Sequence, residues 1–411
     1  MQQKKRELGI YLHIPFCIRK CRYCDFLSAP AAAETRSRYV KALIREIRAF
    51  APTEEYQVVS VFFGGGTPSL LLPQEMKDLM QELRTRFPFW DEAAEITVEC
   101  NPGTLTEEKL RAYKTAGINR LSIGLQSADN RELALLGRIH TWEEFLDNYY
   151  LARKVGFQNI NVDLMSGLPG QTMESWIRTL RQVLDLKPEH ISAYSLIIEE
   201  GTDFFDVYGE DALRRERGEE CRSLPTEEMD RAMYEQTELI LGNAGLQRYE
   251  ISNYAIPGYE SRHNSGYWKR REYIGFGLGA SSQLRNLRFS NDSDLQNYLL
   301  QYDMQKQSDQ SSERQDGTVD TFFAQKCSLE DTQILTRLDE IEETMFLGLR
   351  MIKGVSFEEF RERFGEDLMD RYGDVIQKWS GQKMLTSDAG SLRLTKDGID
   401  VSNIILADFI L

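Results

Sequence analysis

The sequence predicts an α/β fold: an incomplete (β/α)6 barrel of the TIM type, an irregular extension, and a small C-terminal winged-helix-like domain. Three observations carry that expectation. Over residues 1–240 short apolar runs alternate with longer stretches of helical period, and nearly every run ends in glycine or polar residues. Near Leu241 the alternation stops and the composition changes. A chain of 411 residues exceeds what one hydrophobic core usually supports, so several domains are expected.

The runs are GIYLHIPF (9–16), VVSVFFGG (58–65), EITVEC (95–100), RLSIGLQ (120–126), NINVDLMSG (159–167) and HISAYSLII (190–198). Their length and their β-branched and aromatic residues mark them as strands. Helical period separates them over Glu34–Phe50, Pro73–Phe87, Thr106–Ala116, Trp142–Val155 and Thr172–Leu186. Several of these open on Thr with acidic residues in the first turn, which is an N-cap signature. Six βα repeats predict a parallel sheet, but periodicity fits a doubly wound open sheet as well as a barrel. The strand ends favour the barrel: CIRKC, GGGTPS, ECNPG, GLQS, DLMSGLPGQT and YSLIIEEGT would all converge on its C-terminal face, where such folds place their chemistry.

After a helical stretch at Glu227–Leu241, residues 241–304 are rich in aromatics, glycines and amides and read as an extension beside the barrel. Residues 305–325 are polar and read as a linker. Within 326–411, helical patterns at Asp339–Met351, Ser356–Phe364 and Leu368–Trp379 precede a strand, turn, strand and helix, which is a winged-helix-like order. Mixed charge on its third helix and the acidity of the region favour packing over DNA binding. The net charge of −15 argues likewise against nucleic-acid partners. No apolar run is long enough to span a bilayer, and the start MQQKKRELGIYLHIPF lacks a secretory pattern. A cytoplasmic protein with reduced cysteines is expected.

Cys17, Cys21 and Cys24 form a C-x3-C-x2-C cluster directly after the first strand. Thiolates are soft ligands suited to zinc or iron–sulfur. Structural zinc wants four protein ligands, and no fourth Cys or His follows at the usual spacing. Three thiolates on an iron–sulfur cluster leave one iron open to a substrate or cofactor. Cys100, Cys221 and Cys327 stand singly and read as inert thiols.

With Tyr23 before the last cysteine, the cluster resembles that of the radical S-adenosylmethionine (SAM) enzymes. YLHIPFC, FFGGGTPS, LSIGLQS, LGRIH and DLMSGLPGQT extend the resemblance to the oxygen-independent coproporphyrinogen oxidase group, over most of the chain and into its C-terminal domain. The resemblance implies a radical SAM barrel whose three cysteines hold a 4Fe–4S cluster. There the open iron binds SAM, and the reduced cluster cleaves it to methionine and a 5′-deoxyadenosyl radical. It implies that Tyr11 packs near the cluster and that Gly65, Gly66 and Thr67 receive the methionine end of SAM. Glycines permit close backbone approach there, and exposed N–H groups can meet a carboxylate. Glu99, Gln126, Arg138, Asp163 and Ser195 match positions lining the rest of the pocket. The carboxylates suit a ribose or ammonium group, and Arg138 suits a carboxylate. His13 is expected to hold the cluster loop.

Decarboxylases of that group carry a further cysteine two residues after the third, where this chain has Phe26 in CRYCDF, and they have a long extension ahead of the cluster. Phe26 and the short start resemble instead the HemW-like branch, regarded as heme chaperones. HNSGYW, His263–Trp268, fits the H-N-x-x-Y-W pattern associated with heme in that branch. The resemblance implies that His263, Asn264, Tyr267 and Trp268 bind heme, with imidazole as an axial ligand and the aromatics stacked on the porphyrin. From the residues alone the same motif reads as His263 and Asn264 closing a loop while the aromatics fill a core. The expected function is a carrier that passes heme to acceptor hemoproteins such as respiratory cytochromes, with cluster and SAM as regulators. The alternative is an oxygen-independent coproporphyrinogen III dehydrogenase. A homodimer and transient membrane association complete the expectation.

Overall fold

The computed structural model describes residues 5–50, 54–308, 330–388 and 390–410. Strands β1 (Arg6–Ile14), β2 (Tyr56–Gly65), β3 (Trp90–Cys100), β4 (Arg120–Gln126), β5 (Ile160–Ser166) and β6 (His190–Ser195) stand parallel in chain order. Helices α1 (Ala33–Ala49), α2 (Pro73–Arg86), α3 (Glu107–Ala116), the short α4 (Asn130–Leu135), α5 (Trp142–Val155) and α6 (Met173–Leu184) connect them. The predicted caps are present: Thr106, Thr141 and Thr172 each accept the backbone N–H three residues on.

Strand alternation divides the residues between two environments. Leu8, Ile10, Leu12 and Ile14 of β1 are wholly buried in the main core with Leu43 and Ile47 of α1. Gly9, Tyr11 and His13 point the other way, and so do Ser60 and Phe62, into a barrel interior that is polar and aromatic rather than aliphatic.

The extension is more regular than its sequence predicts. After α7 (Asp203–Glu216) and α8 (Glu227–Asn243), strands β7 (Gln247–Arg248) and β8 (Asn253–Ala255) pair antiparallel along β6. The chain then forms α9 (Arg262–Trp268) and crosses to the far edge, where β9 (Glu272–Phe276) runs parallel to β1. Next come β10 (Ser281–Leu284), β11 (Leu287–Ser290), α10 (Leu295–Ser308) and β12 (Glu330–Ile334), giving a 12-stranded sheet. These added strands are two to five residues long, too short for periodicity to reveal. Residues 305–308 of the expected linker belong to α10, and the remainder of it lies outside the described residues.

The C-terminal unit has its own core around Met345, Phe360, Tyr372, Trp379 and Phe409. Its order is α11 (Arg337–Gly348), β13 (Val355–Ser356), α12 (Phe357–Phe364), α13 (Leu368–Gly381), β14 (Leu385–Asp388) and β15 (Ser391–Leu394), with the strands in an antiparallel β13-β15-β14 sheet. That is the winged-helix-like arrangement predicted. It docks through Glu343, which pairs with the buried Arg270 (2.7 Å) and with Arg288 (2.7 Å) of the extension. Among the described residues no helix is long and apolar enough to cross a membrane. Removing one member of a buried ion pair strands the other, so Glu343→Ala is expected to cost about 3 kcal/mol in denaturant unfolding; an unchanged midpoint would refute this account of docking.

Candidate functional site

The cluster loop leaves β1 and returns beside it: Phe16–Cys17 runs parallel to Ala29–Pro30, pinching the loop at its base. His13 holds the loop's far end, as expected. Its Nε2–H donates to the Leu27 carbonyl (2.9 Å) while Nδ1 accepts from the Tyr11 hydroxyl (2.9 Å). Burial lowers the His13 pKa and keeps the ring in this neutral form. Tyr11 therefore supports the loop at one remove and does not line the cavity beneath it.

Cys17, Cys21 and Cys24 are half-buried and open onto one cavity of about 490 Å³ at the C-terminal strand ends. The Thr67 hydroxyl donates to Cys17 Sγ (3.5 Å) and Arg138 Nη1 to Cys21 Sγ (3.4 Å). Among the described residues no three His, Cys, Asp or Glu side chains converge on one metal ion. A three-thiolate set with donors on two sulfurs fits a 4Fe–4S group.

The glycines behave otherwise than expected. Gly65 N–H donates to Glu99 Oε2 (3.1 Å) and Gly66 N–H to the Ile14 carbonyl (2.9 Å), so both glycines line the cavity but neither N–H is free for a ligand. Packing demands them: at Gly65 (φ +110°) a Cβ would lie 2.5 Å from the His13 ring, and at Gly66 2.7 Å from the Phe16 carbonyl oxygen.

Most of the other expected residues do meet in the cavity. Arg138 Nη2 donates to the Gly124 carbonyl (2.6 Å) and to Asn101 Oδ1 (2.8 Å), which leaves its guanidinium spread across the strand ends. Gln126 sits at φ 75°, unusual for a residue with a side chain, and accepts from the Tyr194 hydroxyl (3.0 Å). Asp163 accepts from Asn161 Nδ2 (2.7 Å) and Ser122 (3.2 Å). Ser195 lines the wall, but its hydroxyl is given to Asp230 (2.8 Å) of α8. Sequence reasoning missed Asn101 and Tyr194. Asn101 lies within the strand-end string ECNPG and could have been found there.

Two carboxyls share this space. Burial, and then the neighbouring Asp163, push Glu99 up to about 8; burial also raises Asp163. Near neutral pH the Glu99 carboxyl is protonated and can donate.

The HNSGYW segment forms α9. His263 is 3% exposed, its Nδ1 meets Ser60 Oγ (3.0 Å) and its Nε2 the Tyr267 hydroxyl (3.0 Å). The ring stacks on Phe62 at 5.1 Å, and burial, then Arg271 and Arg120, drive its pKa down to about 3. Trp268 turns the other way, under the Arg350 guanidinium of the C-terminal unit (4.6 Å). The four residues expected to bind heme thus share no open face. His263 and Tyr267 pack in the barrel, Asn264 lines the cavity, and Trp268 meets the C-terminal unit.

Residues 11–183 match the model of the Radical SAM superfamily and residues 335–401 that of the HemN C-terminal domain. The chain is 34% identical over 401 residues to the heme chaperone HemW of Lactococcus lactis, covering 98% of this chain and 97% of that protein. The chain belongs to the HemW family. The HemW of Escherichia coli is 40% identical over 283 residues, covering 68% of this chain and 71% of that one. Among solved structures, coproporphyrinogen III oxidase (HemN) from Escherichia coli superposes with a TM-score of 0.77 at 23% identity, covering 99% of this chain and 90% of that chain. That likeness establishes the shared fold. This chain shares its fold with HemN and its family with HemW.

The raised Glu99 pKa has a consequence for stability. A carboxyl protonated in the fold and ionised in the unfolded chain gives stability that is present below its usual 4.5 and lost as pH rises through about 8. Across that window the metal-free chain should lose stability relative to Glu99→Gln, followed by thermal unfolding. Parallel profiles for the two proteins would contradict the assignment.

Proposed function

We propose that this chain is a heme chaperone that keeps a radical SAM site: it binds heme and hands it to acceptor hemoproteins. The observation that carries the reading is likeness to HemW relatives across 98% of the chain, and Phe26 standing exposed at the mouth of the cavity agrees with it. Cys17, Cys21 and Cys24 would hold the 4Fe–4S cluster, with SAM in the cavity below. Bound there, the pair supplies one-electron reducing chemistry. Thr67 and Arg138 offset charge on the sulfurs, His13 fixes the loop, and Arg138, Gln126, Asp163 and protonated Glu99 present the hydrogen-bonding groups that orient SAM.

Heme needs a different surface. Phe26 of the cluster loop and Ile197 border the main cavity, and Ile18 and Leu27 of the same loop and Ile139 on a neighbouring one are also exposed. These side chains are apolar enough to cover a porphyrin face, and the exposed Arg19 and Lys20 beside them suit propionates. In this reading His263 stays within the barrel. Respiratory cytochromes are the acceptors we expect, with a cytoplasmic protein, as a homodimer, visiting the membrane surface only transiently.

The coproporphyrinogen dehydrogenase reading rests on the shared HemN fold, and Phe26 in place of a cysteine counts against it. Cluster-reconstituted protein should take up hemin saturably and, when reduced with SAM and coproporphyrinogen III, release no protoporphyrinogen. Phe26→Asp should weaken heme uptake about tenfold or more, the loss of one buried aromatic contact. Product formation without saturable heme uptake would reverse the choice.

A further inference from the structure

One side chain of the HNSGYW helix reaches a space large enough for a ligand, and it is Asn264 rather than His263. The helix is fixed in position from both ends of its first turn. Glu95 accepts the N–H groups of Arg262 (3.0 Å) and His263 (3.1 Å) and the Ser261 hydroxyl (3.3 Å), while Ser60 and Tyr267 grip the imidazole. With His263 so wedged, its neighbour is held against the wall of the main cavity. The Asn264 amide has no hydrogen-bond partner among the described residues.

A second amide faces the same space. Asn253 Nδ2 donates to Glu250 Oε1 (2.6 Å), which fixes the amide's orientation, and its Oδ1 is buried with no partner among the described residues. Asn253 stands opposite Ser192 in the β8–β6 ladder, and both line the cavity. Leaving a buried carbonyl oxygen unpaired is costly unless something fills the place.

We propose that Asn253 and Asn264 form an uncharged hydrogen-bonding subsite for the cavity's ligand, and that the HNxxYW motif is the frame that holds Asn264 in it. The inference rests on the reading of this cavity as a SAM site. A fixed acceptor beside a free amide, able to donate and accept, matches a neutral polar edge such as that of a nucleoside. It complements Arg138, Glu99 and Asp163, which supply the charged and acidic groups of the same cavity.

The test is equilibrium binding of SAM to the cluster-reconstituted full-length protein, comparing wild type with Asn264→Leu, which keeps the volume, and Asn264→Ala. Each variant should bind SAM about tenfold more weakly, the cost of one hydrogen bond lost in a buried site. Their unfolding midpoints should stay near wild type, because the amide has no hydrogen-bond partner among the described residues. Tyr267→Phe, which frees the imidazole but keeps the ring, should weaken SAM binding by a smaller factor. Wild-type affinity in Asn264→Leu would overturn the subsite alone. Failure of wild type to bind SAM would overturn the cavity's assignment with it.

Discussion

The structure turns on one buried carboxylate. A sheet of six parallel strands cannot by itself fill the interior it encloses, and α9 fills part of it. Glu95 accepts three hydrogen bonds from the start of that helix and lies 3.9 Å from the buried guanidinium of Arg120. A short helix of seven residues has little stability of its own, so this anchoring decides whether it exists at all. From there the contacts diverge: His263 to the barrel, Asn264 to the cavity, Trp268 to the C-terminal unit. Arg270, directly after the helix, reaches Glu343. The interior of the barrel and the position of the last domain thus depend on the same few residues.

At the opposite end the physical logic is a separation of polarity. Inside the cavity, carboxyls, amides and one arginine sit in low dielectric, where each hydrogen bond counts for more and a carboxyl such as Glu99 prefers its proton. Outside, the same cluster loop turns Ile18, Phe26 and Leu27 toward solvent. One loop of thirteen residues, 17–29, therefore borders a polar chamber and carries exposed apolar side chains on its outer side. His13 fixes the Leu27 end of that loop.

Much of this was legible in the sequence, and the boundary is instructive. The six strands and their helices could be read because each buries one face, and their threonine caps marked where the helices begin. Helices α7 and α10 were passed over, although Leu295, Tyr298, Leu299 and Tyr302 of α10 form a stripe that packs on the main core; the polar stretch that follows them reads as linker. Site residues at strand ends were named from the resemblance to the radical SAM enzymes, and the structure brings most of them to one cavity because the parallel strands end there. The behaviour of Gly65 and Gly66 was not legible, since their N–H partners, Glu99 and Ile14, are set by tertiary packing. The HNSGYW motif shows the same limit. Whether its histidine is a ligand or a wedge depends on Ser60, 203 residues away, which no local pattern encodes.

The measurement that bears most directly on the account is hydrogen exchange over residues 261–268 in cluster-reconstituted protein, with and without hemin. If the helix is a fixed internal element and heme is received at the rim, its amides stay protected when heme binds, while the cluster loop gains protection. Loss of protection in 261–268 on heme binding, with no change in the loop, would show that the helix leaves the barrel to ligate heme, and would contradict the account.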